Sequence, residues 1–257
     1  MDSNMDKEEL INKLIDFIKN IVREANANGV VVGLSGGIDS SLVATLCSKA
    51  LGRERVLGII MPEKNSNPLD KEHALLIAKK LGIKYIISDI TEVLKAFGAG
   101  GYIPTREFDK ISDGNLKARI RMCILYYFAN KNNLLVAGTS NKSELYMGYG
   151  TKYGDLGSDF LVIGNLFKSE VRELAKYLGI PQEIINKPPS AGLWEGQVDE
   201  EELGISYQLL DKILKRIEKG ESKEKISNDL SVPISKVEEI LKRIESNKHK
   251  LGPIFPK

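Results

Sequence analysis

Apolar residues recur at helical spacing between residues 7 and 26, at Leu10, Ile11, Leu14, Ile15, Ile18, Ile21 and Val22, which predicts an amphipathic helix. The pattern then changes. Val30-Val31-Val32-Gly33-Leu34 is a continuous apolar run, as expected of a strand covered on both faces in a parallel sheet. Ser41 to Leu51 returns to helical spacing. The alternation continues with a strand at Val56–Met61, stopped by Pro62, and a helix from about Asp70 to Leu81, ended by Gly82. A strand at Tyr85–Ser88, a short helix near Glu92–Phe97, a helix over Asn115–Asn130 and a strand at Leu134–Gly138 follow. Strands and helices in this order predict an α/β fold, a doubly wound parallel sheet with flanking helices.

Beyond the last strand the chain becomes irregular. Gly148, Gly150, Gly154, Gly157 and Gly164 surround Lys152, Asp155 and Asp159, and a loop this long and polar is expected to be functional. A helix is predicted over Ser169–Leu178, stopped by Gly179 and Pro181. A second loop over 186–201 carries Trp194, the one tryptophan of the chain, and about Ile205 to Lys248 is helical and charged. One domain over 1–257 is expected, with an α/β core at 1–185 and a loop and helical tail, 186–257, packed on it.

Composition narrows the classes. With 42% hydrophobic and 28% charged residues the chain suits a soluble globular protein, and a net charge of +2 gives no support for a nucleic-acid binder. No apolar run approaches a membrane span, and the acidic Met1–Glu9 is no signal peptide, so no membrane partner and a cytoplasmic location are expected. Cys47 and Cys123 both fall in helical apolar patterns without a C-x-x-C, so both are expected in the core. His73, on a charged helix, is expected at the surface.

The chemistry concentrates in Ser35-Gly36-Gly37-Ile38-Asp39-Ser40-Ser41, between the first strand and its helix. Free N–H groups and the helix dipole favour an anion there. Gly36 and Gly37 would let a phosphate approach the backbone, and Ser35 and Ser40 add hydroxyls. Asp39 would repel phosphate unless a divalent cation lies between, which implies a magnesium–pyrophosphate cradle. The loop lacks the lysine of a G-x-x-x-x-G-K-[ST] P-loop and is not a G-x-G-x-x-G fingerprint. It resembles the SGG-x-DS signature of the ATP pyrophosphatases, with their adenine nucleotide alpha hydrolase-like fold. By itself the signature leaves amide synthesis, tRNA modification, and GMP or argininosuccinate synthesis open.

Further segments follow in order: Asn115 to Met122, Gly138-Thr139-Ser140-Asn141-Lys142-Ser143-Glu144, Thr151 to Asp155 with Asp159, Lys168, Pro189-Ser190-Ala191, Asp199 to Tyr207, and His249-Lys250. Across nearly the whole chain this series resembles the NAD synthetases. The resemblance implies adenylation of the pyridine carboxylate of deamido-NAD by ATP, release of pyrophosphate, and displacement of AMP by ammonia. It further implies that Gly33, Leu34, Ser35, Gly36, Gly37, Ile38, Asp39 and Ser40 hold the ATP phosphates, with Thr139, Lys168 and Ser190 also on ATP. Asp39 and Glu144 would hold magnesium, and Arg119, Lys152, Asp159, His249 and Lys250 the deamido-NAD. Lys168 would stabilise departing phosphate charge, and Asp155 would capture ammonium or take its proton. The family's homodimer is expected as well.

Bland roles compete at several positions. Arg121 is expected on a solvated helix face, Glu144 could be an ordinary first-turn acid, and Asp155 and Asp159 could be turn residues. The sequence departs from the family at Ser190, where threonine is usual, after Gly192, and around Pro62–Pro68. The synthetase pattern starts by residue 30, so no fused glutaminase domain is expected, and free or partner-supplied ammonia would be the donor. Two rivals remain: another adenylating ATP pyrophosphatase, such as a tRNA-modifying enzyme, and a DNA-binding regulator. The latter would use the helix-turn-helix-like spacing of 226–241, whose second helix carries Glu238 and Glu239.

Overall fold

A computed structural model describes residues 3–99, 109–194 and 196–252, with side chains from residue 7. Helix α1 (Ser3–Glu24) leads into β1 (Gly29–Gly33), and α2 (Ile38–Leu51) carries the chain to β2 (Val56–Ile60). Helix α3 (Pro68–Leu81) connects to β3 (Lys84–Ile87). Asn67 caps α3 at its start, and Gly82, at φ 65°, ends it by donating to Ala78 and Lys79. Then come α4 (Thr91–Ala99), α5 (Lys110–Asn132), β4 (Leu134–Gly138), α6 (Lys142–Met147), β5 (Phe160–Leu161), α7 (Lys168–Tyr177) and α8 (Gln182–Ile185).

The strands form one five-stranded sheet in the order β3-β2-β1-β4-β5, and every pairing is parallel. The valine run explains the centre. Val30, Val31 and Val32 are fully buried. Alternate side chains of a strand point to opposite faces. Val30 and Val32 accordingly pack with residues of α1, α2, α3 and α7, and Val31 packs with residues of α5 on the other face. From β1 the chain steps outward to β2 and β3, then returns to place β4 on the opposite flank. That reversal opens a crevice at the carboxyl ends of β1 and β4, where open α/β sheets bind ligands.

The tail adds α9 (Asp199–Leu203), α10 (Tyr207–Glu218), α11 (Lys223–Leu230) and α12 (Ile234–Asn247). Leu210, Ile213, Leu214, Val237 and Ile240 form an apolar cluster that takes in Met147 and Phe167 from the α/β part. A buried polar joint sits beside it. Asp211, 2% exposed, accepts from Ser143 Oγ at 2.5 Å and from the Ser169 amide at 2.8 Å. Ser143 Oγ in turn accepts from the Lys168 amide at 3.0 Å.

Several expectations are corrected. Helix α5 starts at Lys110 rather than near Asn115, because Asp109 accepts from Ser112 N–H at 2.6 Å and caps it. The glycine-rich stretch from Gly148 to Gly164 is not all loop: β5 lies in it. Cys47 is buried but Cys123 is exposed on α5. His73 is half-buried, not on the surface, and its Nδ1 is enclosed without a hydrogen-bond partner among the described residues.

Replacing Asp211 with alanine strands two donors, the buried Ser143 hydroxyl and the half-buried Ser169 amide. We expect Asp211→Ala to lose about 2–3 kcal/mol of stability, read as a lower urea midpoint with an unchanged slope.

Candidate active site

The β1–α2 turn is organised by its own small residues. The Leu34 amide extends the β1 ladder to Ile59 at 2.8 Å. Ser40 Oγ lies 3.1 Å from Ser35 Oγ and donates to the Gly37 carbonyl at 3.1 Å, while Ser41 Oγ donates to the same carbonyl at 2.8 Å. Gly36 sits at φ 75°, and a Cβ there would lie 2.1 Å from the Asp70 carbonyl oxygen. Its glycine is therefore required by α3 and by left-handed backbone, and Gly36 is not part of the cleft wall. Gly37 begins α2 without a side-chain cap. The first-turn N–H groups thus stay available to an anion.

A cleft of about 470 Å³ opens in front of this turn. Gly33, Leu34, Ser35, Gly37, Ile38, Asp39 and Ser40 line it, with Thr139, Glu144, Asp155, Lys168, Ser190 and Lys250 on its other walls. Its charged centre is Lys168, 2% exposed at the first residue of α7. Lys168 Nζ donates to Asp39 Oδ2 and stands 3.5 Å from Glu144 Oε1. The Asn141 side-chain Nδ2 donates to Asp39 Oδ1 at 3.1 Å. Asn141 and Glu144 close a reciprocal capping box at the start of α6, which sets Glu144 facing Asp39. Burial opposes the Lys168 ammonium, but Asp39 and Glu144 outweigh it and raise its pKa. Glu144 is raised too, by burial first and then by Asp39, with Asp199 adding to it. One ammonium thus faces more negative charge than it neutralises. That excess fits a divalent cation held by Asp39 and Glu144. No group of three or more His, Cys, Asp or Glu arranged for a metal occurs among the described residues. Such an ion would complete its shell with water and substrate oxygens, as magnesium does.

Asp155 opens onto the cleft while its Oδ1 accepts from the Thr151 amide at 2.8 Å. Solvent reaches it from the cleft, and the protein packed around the cleft raises its pKa. Lys250 Nζ donates to the Gly148 carbonyl at 2.8 Å. Its pKa is lowered by burial and by Arg243, against the pull of Asp155.

The remaining expected residues lie elsewhere. Arg119 is exposed and donates to the Lys152 carbonyl at 3.3 Å, outside the cleft wall. Lys152 stands over the Tyr153 ring at 5.2 Å, and His249 lies exposed on the closing turn. Asp159 accepts from the Val136 amide at 2.7 Å and from Tyr126 Oη at 3.0 Å, so it pins the β4–β5 junction.

Arg121, expected on a solvated face, is half-buried in the cleft wall, and its Nε donates to the Met61 carbonyl at 3.1 Å. Burial lowers its pKa, opposed by Glu63, Asp70 and Asp155. Arg243, Asp199 and Trp194 also line the cleft and had no expected role. A phase assignment for α5 from Ile120 and Leu116 offered the one sequence signal for Arg121. The loop after α8 closes over the cleft through Lys117. Its Nζ donates to Glu63 Oε1 at 2.6 Å and to the Leu193 carbonyl at 2.8 Å.

An uncapped helix at a sheet's switch point, beside a lysine-bridged carboxylate pair, defines an α/β enzyme that handles nucleotide phosphates. The family is narrower. A model described as NAD synthase matches residues 10–253, and the chain belongs to that family. An NH(3)-dependent NAD(+) synthetase of Methanococcus aeolicus is 77% identical over 223 residues, covering 87% of this chain and 88% of its own. The NH3-dependent NAD synthetase structure from Campylobacter jejuni is 38% identical with a TM-score of 0.82, covering 98% of this chain and 99% of its own. A structure of NMN synthetase from Francisella tularensis is 36% identical with a TM-score of 0.86, covering 98% of both chains.

Arg121 is the cation that α5 turns into the cleft. Arg121→Ala is expected to raise the apparent KM for an anionic substrate tenfold or more, about 1.4 kcal/mol, in steady-state kinetics on a variant of unchanged melting temperature.

Proposed function

We propose that this cleft makes NAD+ from deamido-NAD, ATP and ammonia through an acyl adenylate, with AMP and pyrophosphate as the other products. The enzyme is an NH(3)-dependent NAD(+) synthetase by family. The observation that carries the residue assignment is the Lys168–Asp39–Glu144 cluster beside the uncapped start of α2.

ATP lies with its phosphates against Ser35 to Ser40, and Thr139 and Ser190 contact it. Asp39 and Glu144 would hold magnesium, which when bound offsets the negative charge of the phosphates. The pyridine carboxylate of deamido-NAD attacks the α-phosphorus, the bond to the pyrophosphate oxygen breaks, and its electron pair leaves with pyrophosphate. Lys168 stabilises charge on the departing group, which N–H donors and cations fixed in advance do well. Ammonia then attacks the acyl carbon and AMP departs with the C–O bonding pair. Asp155 holds the incoming ammonium or takes its proton. Its raised pKa makes it a better base than an ordinary carboxylate.

Lys250 holds the deamido-NAD from the tail side. Arg119, Lys152, Asp159 and His249 take part from a homodimer interface. The outward face of α5 supports that arrangement: Tyr127 is 60% exposed there, and Tyr153, 58% exposed, adjoins Lys152. No helix among the described residues is long and apolar enough to cross a membrane, and the two free cysteines suit a reducing cytoplasm. The lysines in and beside the helix-turn-helix-like segment do not favour DNA. Lys236 within it pairs with Glu239 at 3.0 Å, and Lys223 just before it pairs with Glu238 at 2.6 Å, which ties up cations that phosphates would need.

Incubation with ATP, magnesium, ammonium and deamido-NAD is expected to yield NAD+, AMP and pyrophosphate in equal amounts. ADP and phosphate would contradict the reading, and nicotinic acid mononucleotide as a parallel substrate tests whether the second nucleotide half is required. Asp155→Asn is expected to leave adenylate formation, followed as pyrophosphate release, near the native rate. The same variant should slow amidation at least tenfold.

A further inference from the structure

Asp199, the first residue of α9, is 3% exposed and ties three separate segments together. Its Oδ1 accepts from the Ala191 amide at 3.0 Å and lies 3.0 Å from Tyr149 Oη. Its Oδ2 accepts from Tyr207 Oη at 3.3 Å, and its own amide donates to the Pro189 carbonyl at 3.0 Å. The stretch it grips from both sides is Pro189–Ala191, which carries Ser190 into the cleft. The grip also reaches the charged centre, because the Tyr207 ring lies under Lys168 Nζ at 5.3 Å. Tyr149 follows the Gly148 cap of α6, the helix that carries Glu144.

We infer that Asp199 is a positioning residue, holding Ser190 and its loop against the Lys168 cluster so that ATP meets a preformed wall. This rests on the assignment of the cleft to ATP. The Ala191 amide can only donate, so Oδ1 must stay an acceptor. An asparagine that keeps this bond turns its NH2 toward Tyr207 Oη, which must then reverse its hydroxyl to accept. Preformation matters because a loop ordered before binding costs nothing at the moment of binding.

Trp194 reports the state of this loop. It is the one tryptophan of the chain, and it packs so closely on α5 that a Cβ on Gly114 would lie 3.1 Å from its ring. The test compares the native chain, Asp199→Asn, Asp199→Glu and Tyr149→Phe. Its two readouts are acrylamide quenching of Trp194 without nucleotide, and ATP KM and kcat for NAD+ formation. For Asp199→Asn, quenching is expected to rise at least twofold and the ATP KM about tenfold, with kcat changed less than threefold. Asp199→Glu, which keeps two acceptor oxygens, should recover part of the KM. Unchanged quenching, or a fall in kcat at constant KM, would overturn the inference. If Asp199→Asn does not fold, Tyr149→Phe carries the test, with both readouts expected to rise about threefold and constancy of both counting against it. Trp194 quenching reads the tether whatever the acceptor substrate, so failure of deamido-NAD to react would be distinguishable from failure of the tether.

Discussion

The buried ammonium of Lys168 is the interaction on which the rest of the site depends. An ammonium removed from water is tolerable only beside anions and hydrogen-bond acceptors, and stripping one partner from such a group costs about 3–5 kcal/mol. Asp39 and Glu144 supply the anions from two separate crossovers. One requirement of charge therefore joins the start of α2, the start of α6 and the start of α7. The backbone of the same lysine reaches Ser143, and through it Asp211 of the tail. The helical tail is thereby coupled to the charged centre as well as to the apolar core.

That arrangement also explains why the site lies where it does. Parallel strands send all their carboxyl ends to one edge, and the reversal of strand order at β1 and β4 prevents the crossovers from covering it. An uncapped helix start contributes partial positive charge on one side. The excess of carboxylate over ammonium contributes negative charge on the other. A substrate rich in phosphate and a divalent cation together satisfy both, whereas neither satisfies both alone.

Much of this was legible along the chain, for particular reasons. The valine run marked β1 because a strand buried on both faces has no room for polar residues, and Gly82 marked the end of α3 because it adopts the left-handed backbone. Strand β5 was missed because two residues are too few for periodicity to register. On α5 a single uncertainty produced two errors. Arg119 and Arg121 are two positions apart, roughly 200° around a helix, so only one can face the cleft. Cys123 stands one turn beyond Arg119 and shares its outward direction. The helical phase that decides both is set by which side of α5 meets the sheet.

The sequence by itself determined the order of the longer strands and helices and the phosphate-binding character of the first turn. These follow from local rules: side-chain volume, backbone freedom and the free N–H groups of a helix start. Lys168 and Glu144 were legible only through the resemblance to the NAD synthetases. Tertiary structure decided which arginine enters the cleft, that Gly36 serves the close approach of α3, and that Asp199 grips the loop bearing Ser190. Each of those depends on groups distant in sequence meeting in space, and no local rule constrains the distance between them.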